Sequence, residues 1–278
     1  ETLECEGITF IAHVSSNGTA PVSLYSELSA KGLYFTISSD GVPGVQNEFR
    51  TNALGRGTAE SVESCLRALA EQNALFMVRA TLTASGAKIL DQAMGYWADL
   101  GVKYVHFEPV RGVAGTKSHG LCEQLSPQTY VQNVLAGVDV AEERGLLLTC
   151  SAYMNLLHPT LRFCTLCSGG GITVTPDGSL SACYRVQESS DTNPFIVGSW
   201  DRRSSIPRFV DHRRSALNSV SVESFDQCNT CHARYICSGG CPQRNFSATG
   251  GWSSAEPWAC TVKKEIVADA IWRMLDAT

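Results

Sequence analysis

The sequence predicts an α/β chain in which part of a parallel (β/α) barrel, residues 1–150, is followed by a small cysteine-rich domain, residues 151–278, with a β-hairpin and a C-terminal helix. Three observations carry this. Strand-like and helix-like stretches alternate through the first 110 residues, as in repeated β–α–β units. Each of those strands has one polar side, which a parallel strand covered on both faces would lack. Eight of the 12 cysteines fall in the last 115 residues, at the spacings of converging metal ligands.

Strands are expected at Ile8–Ser15, Tyr34–Ser39, Phe76–Thr83 and Tyr104–Val110, with helices at Pro21–Lys31, Ala59–Asn73 and Lys88–Leu100 between them. Gly32 and Gly101 stand just past two helix ends, where a left-handed residue closes the last turn. Thr9, His13, Ser15 and Asn17 share one parity, as do Thr36, Ser38 and Asp40; Arg79, Thr81 and Thr83; and His106 and Glu108. The opposite parity holds Ile8, Phe10 and Val14; Phe35 and Ile37; Phe76, Val78 and Leu82; and Val105 and Phe107. One side packs on helices and the other lines something wet. A solvent-facing antiparallel sheet is the alternative, and the intervening helices favour the open barrel.

Arg111–Gly120 is glycine-rich and reads as a loop at the C-terminal end of a strand, where barrel enzymes carry function. A helix over Pro127–Arg144 and a strand over Gly145–Cys150 follow. Ile172–Thr175 and Leu180–Cys183 form a hairpin around Pro176-Asp177-Gly178-Ser179, which has strong turn chemistry. From Gln187 to Asp226 the pattern weakens into a charged, serine-rich stretch. The last helix, Thr261–Leu275, puts Ile266, Val267, Ala270, Ile271 and Met274 on its apolar face.

Composition is that of an ordinary globular protein, 44% hydrophobic and 18% charged. A formal charge of −5 gives no electrostatic reason to expect nucleic acid or an anionic membrane as partner. No apolar run approaches the ~18 residues of a membrane span, and no basic stretch precedes an apolar one at the start. A cytoplasmic protein is expected.

The cysteines run Cys164-x2-Cys167, Cys183, Cys228-x2-Cys231-x5-Cys237-x3-Cys241 and Cys260, the number needed for two four-ligand centres. A secreted disulfide protein would not concentrate them at one end with x2, x5 and x3 spacings. Iron–sulfur ligation is favoured, and two all-cysteine zinc sites would use the same ligands. Cys241-Pro242 is similar to the end of the cysteine run in bacterial ferredoxins. Cys65 shares a helix side with Val62, Leu66 and Leu69, and Cys150 ends an apolar run, so both read as core. Cys5 and Cys122 fit neither pattern.

The order Cys167, Gly178, Cys183, Cys-x2-Cys-x5-Cys-x3-Cys, Cys260 closely resembles the SPASM domain, the C-terminal extension of many radical S-adenosylmethionine (SAM) enzymes. That resemblance implies two auxiliary [4Fe–4S] clusters. Cys164, Cys167, Cys183 and Cys241 would hold the one nearer the barrel, and Cys228, Cys231, Cys237 and Cys260 the outer one. Gly178 would permit the hairpin turn, and Gly239 and Gly240 a close backbone approach to the sulfurs. Trp252 and Trp258 would shield the outer cluster, and His232 would stand behind its ligands.

The first 110 residues resemble the later strands of a radical SAM barrel. Ser16-Asn17-Gly18-Thr19 is similar to the Thr-Asn-Gly-Thr ending the third strand, and Ile37-Ser38-Ser39-Asp40-Gly41 to the Ile-Ser-Leu-Asp-Gly ending the fourth. Arg50 follows Ser38 by twelve residues, as in that family, and Arg56-Gly57-Thr58 resembles its next turn. The resemblance implies that Ser38, Arg50 and Val110 contact SAM, while Asn17 and Asp40 brace loops. His106 and Glu108 would face the lumen as a substrate contact or a satisfied pair. Neither the Cys-x3-Cys-x2-Cys of the catalytic cluster nor a Gly-Gly-Glu-Pro occurs. The expectation is therefore a C-terminal portion of a longer enzyme, inactive alone in SAM cleavage, whose parent adds SAM and a third [4Fe–4S] cluster.

The function expected of that parent is modification of a peptide or protein, with an external electron donor such as flavodoxin or ferredoxin. Alternatives are a non-enzymatic iron–sulfur electron carrier or peptide-binding protein, a zinc-binding interaction module and a sulfatase-maturing-like enzyme. Sulfatase-maturing members carry an Asp after the cysteine matching Cys183, where this chain has Tyr184.

Overall fold

The computed structural model describes residues 11–111, 124–186 and 192–276. Cys5, Cys122, Thr9 and the Ile8–Phe10 portion of the expected first strand lie outside those residues, as does all of the glycine-rich loop after Arg111. The chain divides into two units, Glu1–Ser151 and Ala152–Thr278.

In the first unit the elements are β1 (His13–Ser16), α1 (Val22–Ala30), β2 (Tyr34–Ser38), α2 (Pro43–Phe49), α3 (Ala59–Glu71), β3 (Phe76–Leu82), α4 (Ala84–Ala87), α5 (Leu90–Asp99), β4 (Tyr104–Pro109), α6 (Pro127–Glu143) and β5 (Leu147–Cys150). The strands form one sheet in the order β1-β2-β3-β4-β5, every pairing parallel, so the antiparallel alternative is excluded. Phe35, Ile37, Val78, Val105 and Phe107 are at most 1% exposed, as the apolar parity requires. Against them pack helices whose 3.6-residue periodicity gathers apolar side chains on one stripe. α3 contributes Val62, Cys65, Leu66 and Leu69, and α5 Ala93, Met94 and Trp97. Burying each large apolar side chain stabilises by roughly 1.5–3 kcal/mol.

Two short helices go beyond the expected elements. The helix expected over Lys88–Leu100 is α5, and the unexpected α4 precedes it: Thr83 caps α4 through its Oγ1 (Gly86 N donates, 3.0 Å) and Ile89, at φ −128°, separates the two. The short α2, opened by Pro43 at its first turn, has too little apolar periodicity to be seen in sequence.

The second unit holds an antiparallel sheet of β6 (Thr173–Val174), β7 (Ser179–Ser181), β8 (Ile196–Asp201) and β9 (Ile206–Phe209), then α7 (Asp211–Asn218), α8 (Arg234–Cys237), α9 (Pro242–Thr249) and α10 (Pro257–Asp276). The hairpin forms where expected, with Gly178 at φ +90°. Its second strand ends at Ser181, whose Oγ accepts from Cys183 N (3.2 Å) and donates to Cys183 O (2.8 Å), and so carries the chain away from the ladder.

The weakly patterned stretch contains β8, β9 and α7. Charges on the exposed edge, such as the Asp201–Arg208 pair, mask the alternation there. The last helix starts at Pro257, so Cys260 lies within it. Its buried face is Val262, Lys263, Ile266, Val267 and Ala270, whereas Ile271 and Met274 are 36% and 48% exposed. Trp252 packs on Phe195 and Phe246, with ring centroids 5.2 and 4.7 Å away, against the core cluster that includes Cys228. Among the described residues no helix is long and apolar enough to cross a membrane.

Candidate functional site

A parallel sheet brings all its strand C-termini to one edge, and the candidate ligand contacts of the first unit gather there. At the end of β1, Ser16 Oγ accepts from Gly18 N (3.1 Å) and bonds Tyr25 Oη (2.6 Å), while Asn17 Oδ1 accepts from Thr19 N and Oγ1. Gly18 has φ +76°, and a Cβ there would press on Ile37 and Val62 at 3.1 Å, so only glycine suits this turn.

The exit of β2 is the most tightly built part of this edge. Ser39 Oγ accepts from Trp97 Nε1 at 3.0 Å. Asp40, with 3% of its side chain exposed, accepts from Arg50 Nε (2.5 Å), Arg50 Nη2 (2.9 Å) and Thr81 N (2.8 Å). Its own N–H donates to Gln46 Oε1 at 2.8 Å. Asp40 therefore braces, as the sequence implied, and what it braces is Arg50. A guanidinium has five N–H donors, so this bidentate pair leaves three for a ligand.

Ser38 lies on the polar parity, in register with Arg79, His106 and Thr149 across β3, β4 and β5. Val110 N donates to Leu82 O (3.2 Å), which fixes the end of β4 beside the end of β3. His106 Nε2 and Glu108 Oε1 pair at 2.9 Å, the satisfied-pair outcome.

In the second unit the fold brings the eight cysteines into two groups. Cys228, Cys231, Cys237 and Cys260 line one cavity of about 250 Å³, although 32 residues separate the first from the last. Burial pushes the Cys237 thiol up to about 11 and raises Cys228 and Cys260 as well. Arg234, Lys263 and Lys264 bring three cations to the same wall. His232 Nε2 bonds the Lys264 carbonyl at 2.9 Å.

In the other group, Cys164 and Cys167 share a hydrogen bond that holds Cys164 down, to about 6, and pushes Cys167 up. Burial raises Cys183, and charge on its neighbours Cys241 and Cys164 raises it further. Cys65 and Cys150 are core residues at 0% and 1% exposure.

The turn between Cys237 and Cys241 explains how adjacent cysteines reach different groups. Ser238, Gly239 and Gly240 are all left-handed, at φ 53°, 77° and 79°. A Cβ on Gly239 would meet the Phe225 ring at 3.0 Å, so its requirement is this turn and that ring, a correction to the expected role of approaching a sulfur.

Two features escaped the sequence reading. Arg185 Nε and Arg234 Nε are buried without a hydrogen-bond partner among the described residues. An unpaired buried donor costs about 1–3 kcal/mol, so each calls for an acceptor. Lys263 and Lys264 stand three and four residues after Cys260 on one helix, a spacing that places them on the same face and was legible in advance. Four thiols around a cavity, three cations in its wall and orphaned N–H donors together suit an anionic, thiolate-ligated group. Among the described residues no three His, Cys, Asp or Glu side chains converge on a single-ion site.

With this geometry in view, the structure aligns with that of native anSMEcpe with bound AdoMet at a TM-score of 0.71, covering 98% of this chain and 76% of that one at 17% identity. The chain shares that fold. The same fold is seen in Streptococcus suis SuiB bound to precursor peptide SuiA, with TM-score 0.62, 13% identity, and 93% and 60% of the two chains covered. In sequence, the chain is 22% identical over 251 residues to the serine-type anaerobic sulfatase-maturating enzyme of Klebsiella aerogenes, covering 85% of this chain. It spans 59% of the length of that curated relative. No family model matches the chain.

Proposed function

We propose that this chain serves in a radical SAM enzyme that modifies a peptide or protein. Its first unit is part of the radical SAM barrel, and its second is a SPASM domain with two auxiliary [4Fe–4S] clusters. Supporting the reading above all is the gathering of Cys228, Cys231, Cys237 and Cys260 around one cation-lined cavity. These four residues hold one cluster, and Cys164, Cys167, Cys183 and Cys241 hold the other. SuiB with its precursor peptide and anSMEcpe with a bound peptide have the same fold and support a peptide substrate.

The residues of the chain bind, orient and insulate. Arg50, fixed by Asp40, would pair with the SAM carboxylate; Ser38 would donate to the same portion, and Val110 would contact the adenine portion. When bound, SAM with a reduced [4Fe–4S] cluster supplies hydrogen abstraction, and the auxiliary clusters accept an electron or anchor substrate. The sequence has no Cys-x3-Cys-x2-Cys, so these 278 residues by themselves are not expected to cleave SAM. An external flavodoxin or ferredoxin supplies electrons, and a reducing cytoplasm suits eight metal-bound thiolates.

The Klebsiella relative favours a second reading, sulfatase maturation. Tyr184, 72% exposed, occupies the position where sulfatase-maturing members carry an Asp, which tilts the choice towards other peptides. Two all-cysteine zinc sites would use the same eight ligands, and metal analysis separates that reading from this one. The test is iron, acid-labile sulfide and zinc per chain after anaerobic reconstitution. About eight irons and eight sulfides are expected. About two zincs with negligible sulfide would overturn the proposal.

A further inference from the structure

We infer that Arg234 donates its Nε–H to a sulfur of the outer cluster and raises that cluster's reduction potential, with Arg185 the counterpart at the other cluster. This deepens the cluster assignment above and rests on it. Arg234 lines the cavity of Cys228, Cys231, Cys237 and Cys260, and its Nε is buried with no partner among the described residues. Arg185 stands two residues after Cys183, whose sulfur accepts from the Arg185 backbone N–H, and its Nε is orphaned in the same way. One unpaired guanidinium donor therefore accompanies each cysteine group.

Thiolate and sulfide sulfurs are the acceptors such sites provide, and hydrogen bonds to them stabilise the more negative, reduced cluster. Lys263, buried on α10, and Lys264 add positive charge at the outer cavity.

The experiment is an EPR-monitored redox titration of the reconstituted full chain, comparing wild type with R234M, R234K and R185M. Iron and sulfide are counted in every sample. Arg234→Met is expected to lower one midpoint potential and leave the other in place. Arg185→Met should move the other one. Arg234→Lys keeps the charge without the planar Nε–H and should fall between wild type and R234M. Full loading with both potentials unmoved in R234M would overturn the inference alone. So would complete restoration in R234K, because charge without the hydrogen bond would then suffice. If R234M fails to load, R234K in protein labelled with ¹⁵N-arginine decides. Wild type should show hyperfine coupling to arginine nitrogen at the outer cluster, R234K should lose it, and a coupling unchanged in R234K would overturn the assignment. A wild-type chain that takes up no iron and sulfide overturns the cluster reading itself.

Discussion

Replacing Asp40 by Ala should destabilise the first unit by about 3 kcal/mol and weaken SAM binding through Arg50. The carboxylate accepts three hydrogen bonds, two from Arg50 and one from Thr81 N, and only 3% of its side chain is exposed. Breaking a buried ion pair by deleting one partner costs about 3–5 kcal/mol. Arg50 is 27% exposed, so water re-solvates part of its charge and places the loss at the lower end of that range. Trp97 is the natural probe, being the one tryptophan before residue 152 and donating to Ser39 Oγ next to Asp40. Urea unfolding followed by ¹⁹F NMR of 5-fluorotryptophan-labelled chain isolates it. With a slope of about 2 kcal/mol per molar, the midpoint should fall by roughly 1.5 M. A loss under about 1 kcal/mol, or an Asp40→Ala/Arg50→Ala cycle with coupling below about 0.5 kcal/mol, would refute the bracing argument. Equilibrium dialysis addresses the other half: both variants should bind SAM more weakly, and unchanged binding in R50A would remove Arg50 from the SAM site.

Burial raises the Cys65 thiol to about 12, above its unfolded value of about 8.5. The unfolded chain therefore ionises first; stability is fully present below pH 8.5 and declines as pH rises from there towards 12, by at most about 1.4 kcal/mol per unit. Denaturation across that range should show a shallower decline in Cys65→Ala. Gly239→Ala puts a side chain at φ +77° and within 3.0 Å of the Phe225 ring, so thermal or urea unfolding should show a loss of about 2–3 kcal/mol in the second unit. Cys183→Ala and Cys260→Ala should each lower iron from about eight to about four per chain, and the double variant to near zero; equal, complete loss in both singles would contradict two separate ligand sets.

Period-two patterning made the first unit legible, because the parallel sheet has one packed face. His13, Ser38, Arg79, His106 and Thr149 sit on the open parity while Phe35, Ile37, Val105 and Phe107 are buried. Bracing by Asp40 was readable from its place at a strand end, whereas its partner in three dimensions was not. The second unit was legible only where cysteines or turn residues imposed geometry. β8 and β9 were lost because an exposed, charged edge carries no alternation, even though Phe195, Ile196 and Val197 are buried. On α10 the apolar periodicity overran the packed face: Ile271 and Met274 continue the pattern but are 36% and 48% exposed, while Lys263, a charged residue, is 7% exposed. Charge near a cysteine group is invisible to hydropathy, and so Arg185 and Arg234 went unnoticed.

The two proposed ligand sets are joined by a single stiff turn, and that has a consequence for how they fail. Ser238 holds a left-handed conformation that costs about 1–2 kcal/mol for a side-chain-bearing residue. Its Oγ donates to Thr160 O (2.8 Å) and lies 3.2 Å from Tyr235 O, and Asn245 Nδ2 donates to Gly239 O (2.8 Å). A turn fixed from several sides transmits displacement instead of absorbing it. Cys237 and Cys241 stand at its two ends, whereas Cys260 reaches the outer cavity from α10. Removing Cys237 should therefore disturb the set containing Cys241 more than removing Cys260 does. Both variants lose the outer cluster, but iron release to a chelator from the remaining one should be several-fold faster in Cys237→Ala than in Cys260→Ala. Equal rates would mean that the turn holds its shape without the outer ligands, and that the two sites are independent despite sharing it.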